Sequence, residues 1–276
     1  MDSALDKIVR WSASFGGICV IMIQLVCFAS FCYVSLLEAI PAIFKDSIVL
    51  NTTATAFQVF FVVGYLRSLY LTCATKTSLE MFYKEIEGVF NEGDNDKYQR
   101  CGRCREYRPD RTYHCSLCCK CVVGLQYHSF LVNNCIGRYN FKYYMSYLTF
   151  VILNAGGVCV MGLYYVMCLY HGLDHIDVTP WLMAIGLLIS MTVLTGVSFI
   201  YLLHLLLINE DITWHEMKYA RDPGFTDLSA MIKGRYSFVT FYPNLKKVMQ
   251  RSSVVLELLW PSEYEWQRQS HGKFEQ

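Results

Sequence analysis

The sequence predicts an all-α membrane protein with four transmembrane helices and a small cytosolic Cys-rich domain between the second and third helices. Of the 276 residues, 54% are hydrophobic and 17% are charged, whereas about a quarter of a soluble domain is charged. Four long stretches carry no charged residue, and seven of the 13 cysteines fall between Cys101 and Cys135. This composition excludes a disordered chain, and the net charge of +1 gives no reason to expect a nucleic-acid partner.

The charge-free stretches place the four spans. They cover residues 11–37, 47–66, 143–173 and 178–209, and about 20 apolar residues in a helix cross a bilayer. We expect the first span at about residues 13–36. Because Asn51, Thr52 and Thr53 are polar, we place the second at about residues 54–75, with Arg67 snorkelling from its last turns. Four core helices of a soluble protein are disfavoured, since globular helices rarely run uncharged for this length.

The distribution of Lys and Arg predicts the orientation. Residues 76–142 contain 11 of them and residues 210–276 contain nine, whereas residues 38–46 contain one and residues 171–179 none. Loops rich in Lys and Arg stay in the cytoplasm, so both termini and the Cys-rich segment should be cytosolic. Cytosolic thiols are kept reduced, which favours metal binding over disulfides. The expected layout is an N-terminal transmembrane hairpin (1–75), the Cys-rich domain (76–142), a C-terminal transmembrane hairpin (143–209) and a cytosolic tail (210–276).

An amphipathic helix is expected directly after the second span. Ser78 is a suitable N-cap, and an apolar stripe runs from Leu79 through Phe82 to Phe90. Gly93 and the polar residues after it should end the helix. The apolar stripe would lie either on the membrane interface or on the Cys-rich domain, and the sequence leaves both arrangements open.

The Cys-rich segment has the pattern of a zinc site. It contains Cys101-x-x-Cys104, then His114-Cys115-x-x-Cys118-Cys119-x-Cys121, and further on His128 and Cys135. Each Cys-x-x-Cys pair directs two thiolates at one ion, and a nearby imidazole completes a tetrahedral set. The segment is too polar to fold on an apolar core alone, so structural zinc is expected.

With these motifs the chain resembles the Asp-His-His-Cys family of integral-membrane protein S-acyltransferases, the palmitoyltransferases. Pro109-x-Arg111, Asn133-Asn134-Cys135-Ile-Gly137-x-x-Asn140 and, more weakly, Asn244 also match the motifs of that family. The resemblance implies helices arranged around an acyl-chain cavity, long-chain acyl-CoA and protein cysteines as ligands, and a location in the endoplasmic reticulum or Golgi. It also implies two zinc ions in Cys3His sets: Cys101, Cys104, His114 and Cys121 in one, and Cys115, Cys118, His128 and Cys135 in the other.

The signature itself departs from the family. Where the family reads Asp-His-His-Cys, this chain reads Gln126-Tyr127-His128-Ser129. The resemblance assigns the nucleophile position to Ser129, the base position to Tyr127 and the orienting-acid position to Gln126. A Ser hydroxyl without a base is a poor nucleophile, and Tyr has an ordinary pKa of about 10. The family's Thr-Thr-x-Glu reads Thr213-Trp-His-Glu216 here, so the Thr that lies near the catalytic Asp is also replaced.

Three functions fit this sequence. The first is a catalytically silent or impaired family member that binds acyl-CoA, a client protein or an active relative. The second is a working acyltransferase that carries the acyl group on Ser129 or on the extra thiol, Cys119. The third is a zinc-binding membrane adaptor without a lipid ligand. His215 is interpreted as a solvated residue rather than a substitute base, and His204 as a structural His inside the fourth span.

Overall fold

The computed structural model describes residues 4–33, 35–36, 40–85, 99–170, 180–219, 238–249 and 253–262. Its helical elements are α1 (Ala4–Tyr33), α2 (Ile40–Ile43), α3 (Ile48–Ala74), α4 (Leu79–Glu85), α5 (Phe141–Tyr170), α6 (Pro180–Asn209), α7 (Trp214–Tyr219), α8 (Phe238–Met249) and α9 (Val254–Leu259). Within this part of the chain, α1, α3, α5 and α6 are long and apolar enough to cross a bilayer. They expose large apolar side chains such as Ile23, Phe57 and Leu188, as helices facing hydrocarbon do. The predicted fold class is confirmed.

The second spanning helix begins earlier than the polar residues suggest. It starts at Ile48 rather than near residue 54. Ser47 is its N-cap, with its hydroxyl accepting a hydrogen bond from the N–H of Leu50. The Thr52 hydroxyl donates to the Ile48 carbonyl 2.8 Å away, so this polar side chain is satisfied inside the helix. Polar residues that bond to their own helix do not end it.

Helices α3 and α5 pack closely against each other at Gly64. A methyl group added at Gly64 would overlap the ring of Phe150, which is fully buried. Small residues allow this close approach of two helices in a membrane. Tyr65, Tyr147 and Phe28 continue the same contact as a group of aromatic rings.

Replacement of Gly64 by Ala should therefore destabilise the helix pair, by about 1–3 kcal/mol for an overpacked contact. Thermal unfolding of the detergent-purified protein measures the effect. Gly156→Ala is the matched control, because a methyl group there meets nothing within 4 Å. Equal melting temperatures for the two variants would contradict this account of the contact.

The Cys-rich segment between α3 and α5 consists of three short antiparallel hairpins. They pair β1 (Gln99–Arg100) with β2 (Tyr107–Arg108), β3 (Thr112–Cys115) with β4 (Lys120–Val123), and β5 (Tyr127–Ser129) with β6 (Asn134–Ile136). Side chains alternate faces along a strand. His128 on one face of β5 therefore stands opposite Tyr127 and Ser129 on the other.

The expected amphipathic helix is present as α4, and its described part ends at Glu85; the rest of the predicted range, residues 86–90, lies outside the described residues. Leu79 and Phe82 are buried against Cys101, Cys121 and Val123 of the hairpins. The apolar stripe therefore packs on the Cys-rich domain, which is one of the two arrangements that the sequence left open.

Candidate functional site

The first metal cluster joins the first two hairpins. Cys101 and Cys104 come from the turn between β1 and β2, and His114 pairs with Cys121 across β3 and β4. The Nδ1 atom of His114 lies 3.2 Å from the Cys104 sulfur and 3.9 Å from the Cys101 sulfur. The four ligand atoms lie within 4.8 Å of one another.

The second cluster joins the last two hairpins. Cys115 is the last residue of β3 and Cys118 lies in the turn between β3 and β4, and His128 pairs with Cys135 across β5 and β6. The Nδ1 atom of His128 lies 3.2 Å from the Cys118 sulfur, and that sulfur lies 3.2 Å from the Cys135 sulfur. The structure thus brings together the same two sets of four residues that the family resemblance implies.

The donor chemistry of both clusters fits zinc. Three sulfurs and one imidazole nitrogen at these separations could share an ion at the zinc distances of about 2.0–2.3 Å. In the second cluster, hydrogen bonds from Cys118 and Cys135 hold the pKa of Cys115 far below its ordinary value. Burial lowers the pKa of His128, but the Cys115 and Cys118 sulfurs outweigh it and raise that pKa to about 9. The thiolate is the form of cysteine that binds a metal ion, so the lowered pKa of Cys115 suits a cation site.

The β5–β6 hairpin is fixed against the membrane helices. The Asn134 amide donates to the carbonyls of Thr72, Cys73 and Thr75 at 3.0–3.2 Å, which satisfies the last turn of α3. At the hairpin tip, the Gln24 amide of α1 donates to the Leu131 carbonyl. Ser129, between these two anchors, is 4% exposed.

The phenol of Tyr127 is engaged by a membrane helix. Its hydroxyl oxygen lies 2.7 Å from that of Tyr144 on α5, and its ring contacts the rings of His204 and Trp214. Burial raises the pKa of Tyr127 well above its ordinary value. At neutral pH the phenol therefore stays protonated and is a poorer base than an exposed tyrosine.

Gln126 contacts the segment that follows the fourth span. Its side-chain oxygen accepts a 2.7 Å hydrogen bond from the backbone N–H of Trp214, the first residue of α7. Thr213 and Glu216 form a capping box there, since the Thr213 hydroxyl accepts from the Glu216 N–H and the Glu216 carboxylate accepts from the Thr213 N–H. The predicted residues of this motif are thus structural partners of α7.

Arg111 links the Cys-rich segment to the same turn. Its guanidinium donates to both carboxylate oxygens of Glu216, at 2.9 and 3.0 Å, and to the carbonyl of Asp211 at 2.6 Å. Burial alone would raise the pKa of Glu216, but the hydrogen bonds from Arg111 and Thr213 lower it below the ordinary range. Because Arg111 is 41% exposed, solvent screens part of this bond.

A carboxylate whose pKa is lowered by folding stabilises the fold above its unfolded pKa, and that contribution is lost as pH falls through its folded pKa. Glu216→Gln should therefore lower stability by about 1 kcal/mol at neutral pH. The difference in melting temperature between wild type and variant should shrink as pH falls below about 4.3. A difference that stays constant over that range would contradict the assigned ion pair.

Comparison with known proteins agrees with this arrangement. Residues 94–220 match the family model described as DHHC palmitoyltransferase. Over this segment the chain is similar to the DHHC palmitoyltransferases. It is 41% identical over 86 residues to palmitoyltransferase ZDHHC5 of Rattus norvegicus, covering 31% of this chain and 12% of that protein. It is 36% identical over 118 residues to palmitoyltransferase ZDHHC8 of Mus musculus, covering 42% of this chain and 15% of that protein.

Cys119 is a further thiol beside the eight cluster residues, and it lies in the turn between β3 and β4. Its backbone φ is +51°, and its sulfur is 3.3 Å from the Ser116 carbonyl. It belongs to neither cluster of four ligands.

The two candidate histidines outside the clusters have different surroundings. His204 is 1% exposed, and its Nδ1–H donates to the Ile200 carbonyl at 2.7 Å, as expected for a structural His. His215 differs from the expected solvated residue: it is half-buried and stacks on Tyr113 with ring centroids 4.1 Å apart. Burial lowers the pKa of His215.

The weaker family match at Asn244 has a structural partner. Its amide donates to the carbonyl of Asn209, the last residue of α6, at 3.1 Å. The bond satisfies one carbonyl at the end of this spanning helix and holds α8 there.

Two residues of the site, Tyr144 and Gln24, belong to none of the sequence motifs. Tyr144 lies among apolar residues of the third span, and only the fold brings it to Tyr127. Gln24 also accepts a 2.6 Å hydrogen bond from the Tyr147 hydroxyl. A lone amide inside an apolar span costs free energy in a membrane. The sequence therefore marks Gln24 as a residue that needs a polar partner.

Proposed function

We propose that this protein is a DHHC-family membrane protein whose acyl-transfer chemistry is absent or impaired, and that it acts as a scaffold. In this proposal it binds long-chain acyl-CoA, a client protein or an active relative without forming a thioester on itself. The roles of Gln126, Tyr127 and Ser129 as former acid, base and nucleophile positions are part of the proposal.

The observation that carries the proposal is the state of Tyr127. At the base position, the Tyr127 hydroxyl is hydrogen-bonded to the Tyr144 hydroxyl, and the pKa of Tyr127 is raised. Tyr127 is therefore unable to take a proton from Ser129 near neutral pH, and an alcohol that keeps its proton is a weak nucleophile. Both four-ligand clusters around it are complete.

We further propose that each cluster holds a structural zinc ion. The zinc would fix the three hairpins to one another, and Asn134 would then fix the last hairpin to α3. The endoplasmic reticulum or the Golgi is the proposed location, as the family resemblance implies. Both termini lie in the cytosol in this proposal, because loops rich in Lys and Arg stay on the cytosolic side of a membrane.

The experiment is covalent labelling of the zinc-loaded protein in detergent with a tagged long-chain acyl-CoA, read before and after neutral hydroxylamine. No covalent label, together with retained acyl-CoA binding, is the expected result. Ser129→Ala and Cys119→Ala serve as matched variants. Label that hydroxylamine removes and that Cys119→Ala abolishes would establish a thioester enzyme, and resistant label lost in Ser129→Ala an oxyester enzyme. Absence of both covalent label and acyl-CoA binding would support the third function, a zinc-binding adaptor without a lipid ligand.

A further inference from the structure

The C-terminal segment 253–262 is attached to the third spanning helix through a buried charge pair. Lys142, at the start of α5, and Glu257 on α9 have side chains that are 2% and 3% exposed, with Nζ and Oε2 3.9 Å apart. The Glu257 carboxylate also accepts a 2.9 Å hydrogen bond from the Ser262 N–H, and Lys142 donates to the Ser262 hydroxyl. A charge pair without water needs such additional hydrogen bonds to be stable. The segment is therefore held at its middle and at its C-terminal end.

The same segment reaches down to the level of the bilayer. The guanidinium of Arg67 lies over the ring of Trp260, 4.6 Å from its centroid. Arg67 precedes Ala74, the end of α3, by two turns, which is about 10 Å along a helix. Trp260 is thus beside an apolar span rather than beyond it, at the depth where tryptophan is enriched in membrane proteins.

The outward face of the segment is apolar. Val255 and Leu256 are each 65% exposed and Trp260 is 48% exposed. Leu66 and Tyr70, on either side of Arg67 along α3, are also exposed, so this face is continuous with the lipid-facing surface of the second span.

We propose that segment 253–262 is a membrane-interface anchor whose Val255, Leu256 and Trp260 enter the leaflet on the side of the Cys-rich domain. The Lys142–Glu257 pair holds this anchor against the protein. The inference is independent of acyl transfer and goes beyond the proposed scaffold role.

Tryptophan quenching in lipid nanodiscs tests the anchor. The full-length, zinc-loaded protein is placed in phosphatidylcholine nanodiscs with or without lipids brominated near the headgroup, and its emission is compared with that of Trp260→Phe. The Trp260 component is expected to be quenched by the brominated lipid and protected from aqueous iodide. Trp214→Phe is the control, because Trp214 packs against Tyr127 and its component should respond less to the brominated lipid.

Two results would overturn the anchor. Quenching of the Trp260 component by iodide alone would place the segment in water, and quenching by neither agent would mean that protein covers it. A Leu256→Asp variant, which puts a charge on the apolar face without touching the Lys142–Glu257 pair, should lose the brominated-lipid quenching of Trp260. If that variant does not fold, the comparison of wild type with Trp260→Phe still decides the question.

Discussion

If each cluster holds a zinc ion as proposed, replacement of Cys135 by Ser is expected to remove one of the two ions and to unfold the last hairpin. Cys135 is 2% exposed and lies in the second cluster with Cys118 and His128. Structural zinc contributes an apparent 10–16 kcal/mol, roughly, to small domains of this type, and the apolar core around this cluster is small. Metal analysis of the purified protein should fall from two zinc ions per chain to one, and the melting temperature should drop sharply.

Cys119→Ser is the control for this experiment. Cys119 lies one residue after the ligand Cys118 but belongs to neither cluster. The control should retain both zinc ions and the wild-type melting temperature. A loss of zinc in Cys119→Ser, or two zinc ions retained in Cys135→Ser, would show that the ligand sets are assigned wrongly.

The second large effect is expected from restoring the family signature. Ser129→Cys alone should give slow, hydroxylamine-sensitive labelling from a long-chain acyl-CoA, because Tyr127 remains a poor base. Combining it with Tyr127→His and Gln126→Asp should accelerate labelling by about 10²–10⁴, the usual contribution of a general base. The carboxylate at position 126 would lie near the Trp214 N–H that now binds Gln126.

The matched control keeps Ser129 and changes only Gln126 and Tyr127. It should form no hydroxylamine-sensitive label, since no thiol stands at the nucleophile position. If Ser129→Cys alone labels as fast as the triple variant, then Tyr127 does not limit the chemistry. The proposed reason for the impaired transfer would then be wrong.

The spans and the ligand clusters can be predicted from the sequence because each depends on local features. The length of uncharged sequence is sufficient to predict α1, α3, α5 and α6. The spacing Cys-x-x-Cys, with a His nearby, predicts metal ligation, and the resemblance to a known family divided the eight ligands into the two sets that the structure brings together.

The remaining features depend on contacts between distant residues or on side chains that bond locally. Helix α3 starts at Ile48 because the Ser47 and Thr52 side chains form hydrogen bonds with the backbone of the helix. A hydrophobicity pattern does not indicate such bonds. The Tyr127–Tyr144 hydrogen bond joins a strand to a membrane helix, and no periodicity marks it. Likewise, the Arg111–Glu216 pair joins residues more than 100 positions apart.

Native mass spectrometry tests the central claim most directly, because one spectrum reports metal content and covalent acylation together. The detergent-purified protein would be incubated with palmitoyl-CoA and its intact mass recorded with and without neutral hydroxylamine. We predict a chain carrying two zinc ions and no covalent palmitoyl group. A zinc-loaded chain with a covalent palmitoyl adduct would contradict the account and establish a working acyltransferase.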